Sequence, residues 1–255
     1  MGASYDGPHV FASTFTYSYT KLRGKKWVVD ALTRGEGFPA AETAHELRRA
    51  VEAGCPIHLF EDGGTLITKG RSTAAAEFLK SEADVWVSFD DDVFASAPTL
   101  RALIAATRET RGLVGAPALF RAADTVNYRI GEFRQENVCQ LRAQTSGGDS
   151  IKVYPVACIA FSCVCLHRDI VQKVAGSCEW VQDHGRRIPF LFSERPHRGT
   201  WLGEDFGFCL DVTTQTEGHC YALLEHPITH AGVACMLDAE GQVMRAGGHP
   251  TEPET

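Results

Sequence analysis

The feature that most restricts the fold of this chain is an alternation, through its first half, of short apolar runs with amphipathic stretches of helical period. Residues 9–19 are β-branched and aromatic and read as a strand with its exit turn. Residues 41–53, rich in Ala and Leu with mixed charges, read as a helix that stops at Gly54. A short strand at 57–60, a helix at 72–80 and a strand at 85–89 follow. The next helix carries Pro98 in its first turn, sets Leu100, Leu103 and Ile104 on one face, and has Gly112 just past its end. Residues 113–116 form another buried strand. Strands alternating with helices predict an α/β fold, with a mainly parallel central sheet flanked by helices.

The second half is less regular. Residues 117–150 are polar and Gly-rich, with a hairpin expected at Gly147-Gly148. An apolar run at 153–166 precedes a helix at 169–175. Residues 183–203, rich in Arg, His and Pro, read as a mobile loop. A helix at 204–216 and a strand at 221–224 lead to Pro227-Ile228-Thr229-His230-Ala231-Gly232. Residues 1–245 are expected to form one domain, with 246–255 a flexible tail.

Charge and cysteine content narrow the class. Lys and Arg number 25 against 32 Asp and Glu, a net charge of -7, which argues against a general polyanion binder. No stretch approaches the ~20 apolar residues of a membrane span. The first residues lack the basic start and apolar core of a signal peptide. Nine cysteines without an export signal point to free thiols in a reducing cytoplasm.

Three constellations carry chemistry. Asp90-Asp91-Asp92 closes an apolar strand. Adjacent carboxylates repel one another, and burial makes ionisation costlier still, so a cation belongs there. A hard divalent ion, Mg2+ or Mn2+, is the simple candidate, at the strand ends where open α/β sheets bind ligands. A solvated turn or helix cap is the plainer alternative. Trp201-Leu202-Gly203-Glu204-Asp205-Phe206 sets two carboxylates at a helix start, where the helix dipole favours them; ordinary capping is the alternative. His230, at a strand end beside small residues, is a metal-ligand candidate or a surface histidine.

Strand-end Asp-x-Asp, then an apolar strand and helix, then Glu-Asp opening a helix, then His-x-Gly after one more strand resembles the family-2-type glycosyltransferases of the GT-A fold. The pattern is closest to the small glycosyltransferases of phages and large DNA viruses, in which a Leu-Ile-Thr-Arg-x-Arg-Asn-like segment precedes the Asp-x-Asp strand. Here that segment reads Leu66-Ile67-Thr68-Lys69-Gly70-Arg71-Ser72, with Ser where the family usually has Asn. Val114-Gly115-Ala116-Pro117 resembles the strand after the metal motif. The resemblance covers residues 9–120 and 153–232 and matches poorly at 121–150.

The resemblance implies a single GT-A-like, Rossmann-like domain, with a nucleotide-sugar half at 9–120 and an acceptor half at 121–232. It implies a donor that is a nucleoside-diphosphate sugar, of the UDP type. A divalent ion held by Asp92 with Asp90 and His230 would stabilise charge on the leaving diphosphate. Asp90 or Asp91 can instead reach the ribose. Arg71 would approach the diphosphate or base, Asp62 the uracil or ribose, and Phe11, Ser13 and Thr14 would line the nucleotide pocket. Asp205 matches the general base and Glu204 an acceptor-positioning carboxylate, which favours single displacement with inversion.

Arg186, Arg187, Arg195, His197 and Arg198 precede this pair. They are a solvated loop, a lid over the donor, or a contact to an anionic acceptor, with Trp201, Arg195 and Arg198 as acceptor-binding candidates. Hydroxymethylated DNA of the phage type is one acceptor; a saccharide, lipid-linked sugar or protein side chain are others. The implied setting is the cytoplasm of a bacterium or a phage-infected host.

Rival readings are weaker. Cys163, Cys165 and His167 alternate on one strand, but no second ligand pair completes a zinc site. Neither a phosphate-binding loop of the Gly-x-x-x-x-Gly-Lys type nor a Gly-x-Gly-x-x-Gly turn is present. A sugar nucleotidyltransferase would show a Gly-rich N-terminal loop ending in Arg. A non-catalytic nucleotide- or DNA-binding module would not need Asp205 and His230 together.

Overall fold

A computed structural model describes residues 9–16, 39–51, 55–63, 66–91, 93–117, 130–133, 139–144, 150–216, 218–226, 228–230, 235–237 and 243–245. In chain order the elements are β1 (Val10–Thr16), α1 (Pro39–Ala50), β2 (Ile57–Gly63), α2 (Ile67–Lys80), β3 (Val85–Asp90), β4 (Val93–Phe94), α3 (Ala97–Thr110) and β5 (Leu113–Gly115). Then come β6 (Ile130–Phe133), β7 (Cys139–Gln144), β8 (Ser150–Ile159), β9 (Cys163–His167), α4 (Arg168–Ser177), β10 (Trp180–Asp183) and β11 (Arg186–Pro189). The chain continues through β12 (Arg195–His197), β13 (Thr200–Leu202), α5 (Glu204–Gln215), β14 (Cys220–Ala222), β15 (Thr229–His230), β16 (Cys235–Leu237) and β17 (Val243–Arg245).

Nine strands form one sheet in the order β2-β1-β3-β9-β5-β14-β8-β6, with β7 also on β8. Seven run in one sense; β8 and β9 run against them. The α/β fold with a mainly parallel sheet is therefore as the alternation predicts. The two reversed strands depart from the parallel pattern, and the β7–β8 pair carries a register shift between Gln140 and Gln144. The apolar run at 153–166 breaks at Ala160, Phe161 and Ser162, where the chain shifts across β14 and β5 without reversing and places β9 between β3 and β5. All five β9 residues are buried, so this strand shows no polar alternation.

Helices cover both faces. Val10, Ala12, Val85, Val87, Phe89, Cys163 and Cys165 face Leu47 of α1 and Leu100 and Leu103 of α3. On the other side Phe11, Trp86, Val164 and Leu166 face α2, α4 and α5. This second core is aromatic: Phe192 stacks on Phe208 with ring centres 4.7 Å apart, and Phe161 meets Phe192 edge-on at 5.4 Å. Trp86 donates its indole N–H to Ser13 Oγ at 2.7 Å, which satisfies the one polar atom of a fully buried ring.

Two expectations change. α2 begins at Ile67 rather than near Ser72, and Gly70 through Ala76 are all buried. Packing around most of its circumference, not capping, defines its start; Leu66 makes no side-chain cap. Residues 183–203 are not a featureless loop. They contain two antiparallel hairpins, β10–β11 and β12–β13, each closed by two residues. His184 and Gly185 have φ of 46° and 80°, and Arg198 and Gly199 48° and 78°, the positive pair that tight hairpin turns require. The hairpin expected at Gly147-Gly148 is seen in its strands, with Gln144 opposite Ser150. The residues between, like the 246–255 tail, lie outside the described residues. Among the described residues no helix is long and apolar enough to cross a membrane.

β4 is held from behind by α1. Thr43 Oγ1 donates to Val93 O at 2.9 Å and accepts from Ala95 N at 3.0 Å. One turn on, Glu46 accepts from Ala97 N at 2.9 Å, an otherwise orphaned donor at the start of α3. Thr43→Val keeps the shape but strands two buried backbone groups. It should destabilise the protein by about 2–4 kcal/mol in urea denaturation, while Thr43→Ser should cost no more than about 1 kcal/mol.

Candidate active site

The site is built at the C-terminal edge of β1, β2 and β3. Parallel register places Asp62, Phe15 and Asp90 side by side there, and Thr14 between Glu61 and Phe89 one residue earlier. Asp90 shares the α2 face with Ser88 and Trp86, two and four residues back along β3. Its backbone N–H donates to Ser162 O at 3.0 Å, so the turn between β8 and β9 abuts the acidic strand end.

Arg71 connects this edge to α5. Its Nη2 donates to Asp90 Oδ1 at 3.0 Å and its Nη1 to Glu204 Oε1 at 2.7 Å. Nη2 also lies 3.5 Å from Phe161 O, and the guanidinium carbon stands 5.3 Å from the Phe161 ring centre. Only 4% of the Arg71 side chain is exposed, and its Nε has no hydrogen-bond partner. Two acidic motifs far apart in the chain thus share one buried cation.

α5 starts at Gly203, whose extended backbone caps the helix without a side chain. Glu204 and Asp205 occupy the first turn, where unpaired backbone N–H groups and the helix dipole favour carboxylates. Asp205 Oδ1 accepts from Phe206 N at 2.7 Å, and the residue is 9% exposed.

Asp90 is the electrostatically uncomfortable member. Burial pushes its pKa up to about 6, more than Arg71 pulls it down, and Asp91 and Glu204 add to the rise. A carboxylate that remains ionised against this gradient attracts further positive charge. Among the described residues no group of three or more His, Cys, Asp or Glu side chains converges to hold a metal. Asp92 lies outside the described residues. The backbone does bring the other expected ligand near: β15 pairs with β4 so that His230 stands opposite Val93, the residue after Asp92.

The remaining sequence candidates separate. Phe11 is fully buried, stacked at 5.2 Å on His58 and tilted at 5.7 Å on Phe78, so it belongs to the core and not to a pocket wall. The Ser13 hydroxyl holds Trp86. Thr14 is buried on the α1 face with its hydroxyl unpartnered. Ser72, where the family pattern has Asn, accepts from Phe192 N at 3.4 Å. Trp201 is 67% exposed and donates its indole N–H to Glu194 at 3.2 Å. Arg198 sits exposed at the tip of the β12–β13 hairpin. Arg195 turns inward to α5. Cys163 and Cys165 are buried thiols; burial pushes Cys165 up to about 12 and Cys163 in the same direction. His167 caps α4, its Nδ1 accepting from Asp169 N at 3.2 Å. Thr43 and the turn at Phe161 and Ser162, which hold the acidic edge from two sides, carry no motif that a single sequence reveals.

The sign of the Asp90 shift makes a prediction. A carboxyl raised from 3.8 to about 6 loses stability as pH climbs through that interval, and the loss is complete above it. Two units correspond to about 3 kcal/mol at most, less what water recovers on the exposed fifth of the side chain. Asp90→Asn should therefore stabilise the protein by about 1–3 kcal/mol at pH 7.5 and by little at pH 4, measured by urea denaturation at both. A loss of stability at pH 7.5 would show that the ion pair with Arg71 dominates instead.

No family model and no curated protein matches the sequence. Among solved structures the chain is similar to A197 from STIV, at 13% identity and a TM-score of 0.49, over 97% of this chain and 98% of that one. It is similar to GalNAc-T7, solved with UDP, GalNAc and Mn2+, at 10% identity and a TM-score of 0.45, over 88% of this chain and 44% of that one. It is also similar to HddC from Yersinia pseudotuberculosis, at 11% identity and a TM-score of 0.43, over 88% of this chain and 93% of that one.

Proposed function

We propose that this protein is a glycosyltransferase that moves a sugar from a nucleoside-diphosphate sugar, of the UDP type, to an acceptor hydroxyl. The observation that carries the reading is the Arg71 bridge. It joins the strand-end carboxylate Asp90 to the helix-start carboxylate Glu204, 133 residues along the chain from Arg71, at the sheet edge where α/β folds bind ligands. Sugar transfer needs both halves in one place, a donor side that tolerates diphosphate charge and an acceptor side with a base.

In this reading Asp205 is the base. It takes the proton of the acceptor hydroxyl as that oxygen bonds to the anomeric carbon, while the bond to the diphosphate breaks and the configuration inverts. Its place in the first turn of α5, with Oδ1 accepting from Phe206 N at 2.7 Å, holds the carboxylate in position. Glu204 positions the acceptor and shares Arg71 with the donor side. Asp62, Asp90 and Asp91 serve the nucleotide. Mn2+ or Mg2+ is assigned to Asp92 with Asp90 and His230, supported by the pairing of His230 opposite Val93. Such an ion would supply Lewis-acid stabilisation of the departing diphosphate.

The acceptor side is basic. Arg186, Arg187 and Arg198 are exposed on the two hairpins, and Trp201 offers an exposed ring for stacking. An anionic acceptor fits this surface, a hydroxymethylated base in phage-type DNA among them; saccharide, lipid or protein hydroxyls are the alternatives. A non-catalytic module that only binds nucleotide or DNA is the reading of another class.

Incubation with Mn2+ or Mg2+ and a panel of nucleotide-sugars should release nucleotide, detected by chromatography. Neither binding nor release with any donor sinks the transferase reading, and diphosphate release from a nucleoside triphosphate with a sugar phosphate would mark a nucleotidyltransferase instead. Asp205→Asn should lower transfer by about 10²–10⁴-fold while nucleotide affinity, read by calorimetry, stays within about twofold. Retained turnover in that variant removes Asp205 from the role of base.

A further inference from the structure

Arg195 stands in the basic segment before Glu204, where the sequence suggests contact with an acceptor, but its side chain points into the protein. Its Nη2 donates to Gly207 O and to Asp211 Oδ1, both at 2.7 Å. Asp211 is 8% exposed, and the same Oδ1 accepts from Gln215 Nε2 at 2.8 Å. The guanidinium is thus neutralised by a buried carboxylate one turn beyond Gly207, on the same helix face.

The backbone of Arg195 is tied to the other end of the same short segment. β12 pairs with β13 so that Arg195 stands opposite Leu202, the residue before Gly203. Gly207 N in turn donates to Gly203 O at 2.8 Å, closing the first turn of α5. One residue therefore grips both sides of Glu204-Asp205-Phe206, Leu202 by its backbone and Gly207 by its side chain. The backbone just before Arg195 comes close enough to need glycine: a Cβ on Gly207 would meet Ser193 O at 2.9 Å, while Arg195 Nε, at 3.7 Å, would stay in ordinary contact.

We infer that Arg195, with Asp211, is a positioning residue that fixes the first turn of α5 and so aims Asp205 and Glu204, and does not bind the acceptor. This rests on the transferase reading for its kinetic consequence but not for its structural one. A carboxylate base displaced by even an ångström loses much of its advantage, so the loss should appear in turnover and not in donor binding.

Three measurements on the full chain decide it. Arg195→Met and the nearly isosteric Asp211→Asn should each lower kcat about 10–100-fold, with the KM for donor and acceptor within about twofold. The double variant should fall no further than either single one, as for two ends of one contact. Amide hydrogen exchange at residues 204–208 should quicken about 10-fold or more in both variants, with exchange in β1 and β3 unchanged. A rise in acceptor KM at constant kcat, with Asp211→Asn silent, would restore Arg195 to acceptor binding and overturn the inference. Unchanged exchange and unchanged kcat would overturn it as well. If the parent protein turns over no donor, the transferase reading fails, and the exchange result alone still decides whether Arg195 holds the turn.

Discussion

A buried guanidinium is tolerated only where its charge and most of its N–H groups are answered, and Arg71 meets that condition by drawing three elements together. α2 supplies the cation, β3 delivers Asp90 to one side of it and α5 delivers Glu204 to the other. Losing Glu204, the shorter of the two contacts, leaves Arg71 under-compensated at 4% exposure, a loss that typically costs about 3–5 kcal/mol, whereas Asp90 is held against its own desolvation. The arrangement is nevertheless not optimised for stability. Arg71 Nε is unpartnered, and burial overrides the attraction of Arg71 for Asp90. Local frustration at a strand-end acid cluster is the pattern expected where function, not packing, selected the residues.

Around that centre the fold supplies rigidity from two directions. β9, fully buried and inserted between β3 and β5, brings the preceding turn against Asp90. α1 reaches across with Thr43 and Glu46 to hold the exit of the acidic turn as it becomes β4 and α3. The second core, dense with Phe11, Phe78, Trp86, Phe161, Phe192 and Phe208, seats α2 and α5 on the sheet and so sets the separation that Arg71 spans. These supports are hydrogen bonds to backbone and ring contacts, interactions that depend on shape and carry no recognisable spacing in the chain.

Much of the scaffold could be read from pattern. α3 obeys its local signals: Ser96 caps it by accepting from Thr99 N, Pro98 follows, and Gly112 lies just beyond its end, where a Cβ would meet His219 O at 2.6 Å. α5 also falls where a glycine and two acids predict a helix start. The misreadings have physical causes. α2 starts early because burial stabilises a turn that no cap announces. The segment at 183–203 looks irregular by composition, yet His-Gly and Arg-Gly suffice for two tight turns once strands on either side can pair. The resemblance implies Phe11 and Ser13 as pocket residues; the register and the helix above them cover both.

By itself the sequence determined the layered α/β class, the position of each acidic motif at a strand or helix terminus, and the free thiols of the interior. Periodicity and capping are local properties, and local physics is enough to read them. The tertiary structure decided which of the candidate residues meet. It put Arg71 between Asp90 and Glu204, set His230 opposite Val93, and turned Arg195 from the surface toward Asp211. Charge pairing in a low-dielectric interior acts over a few ångströms of space and is indifferent to separation along the chain, so only the folded molecule can express it.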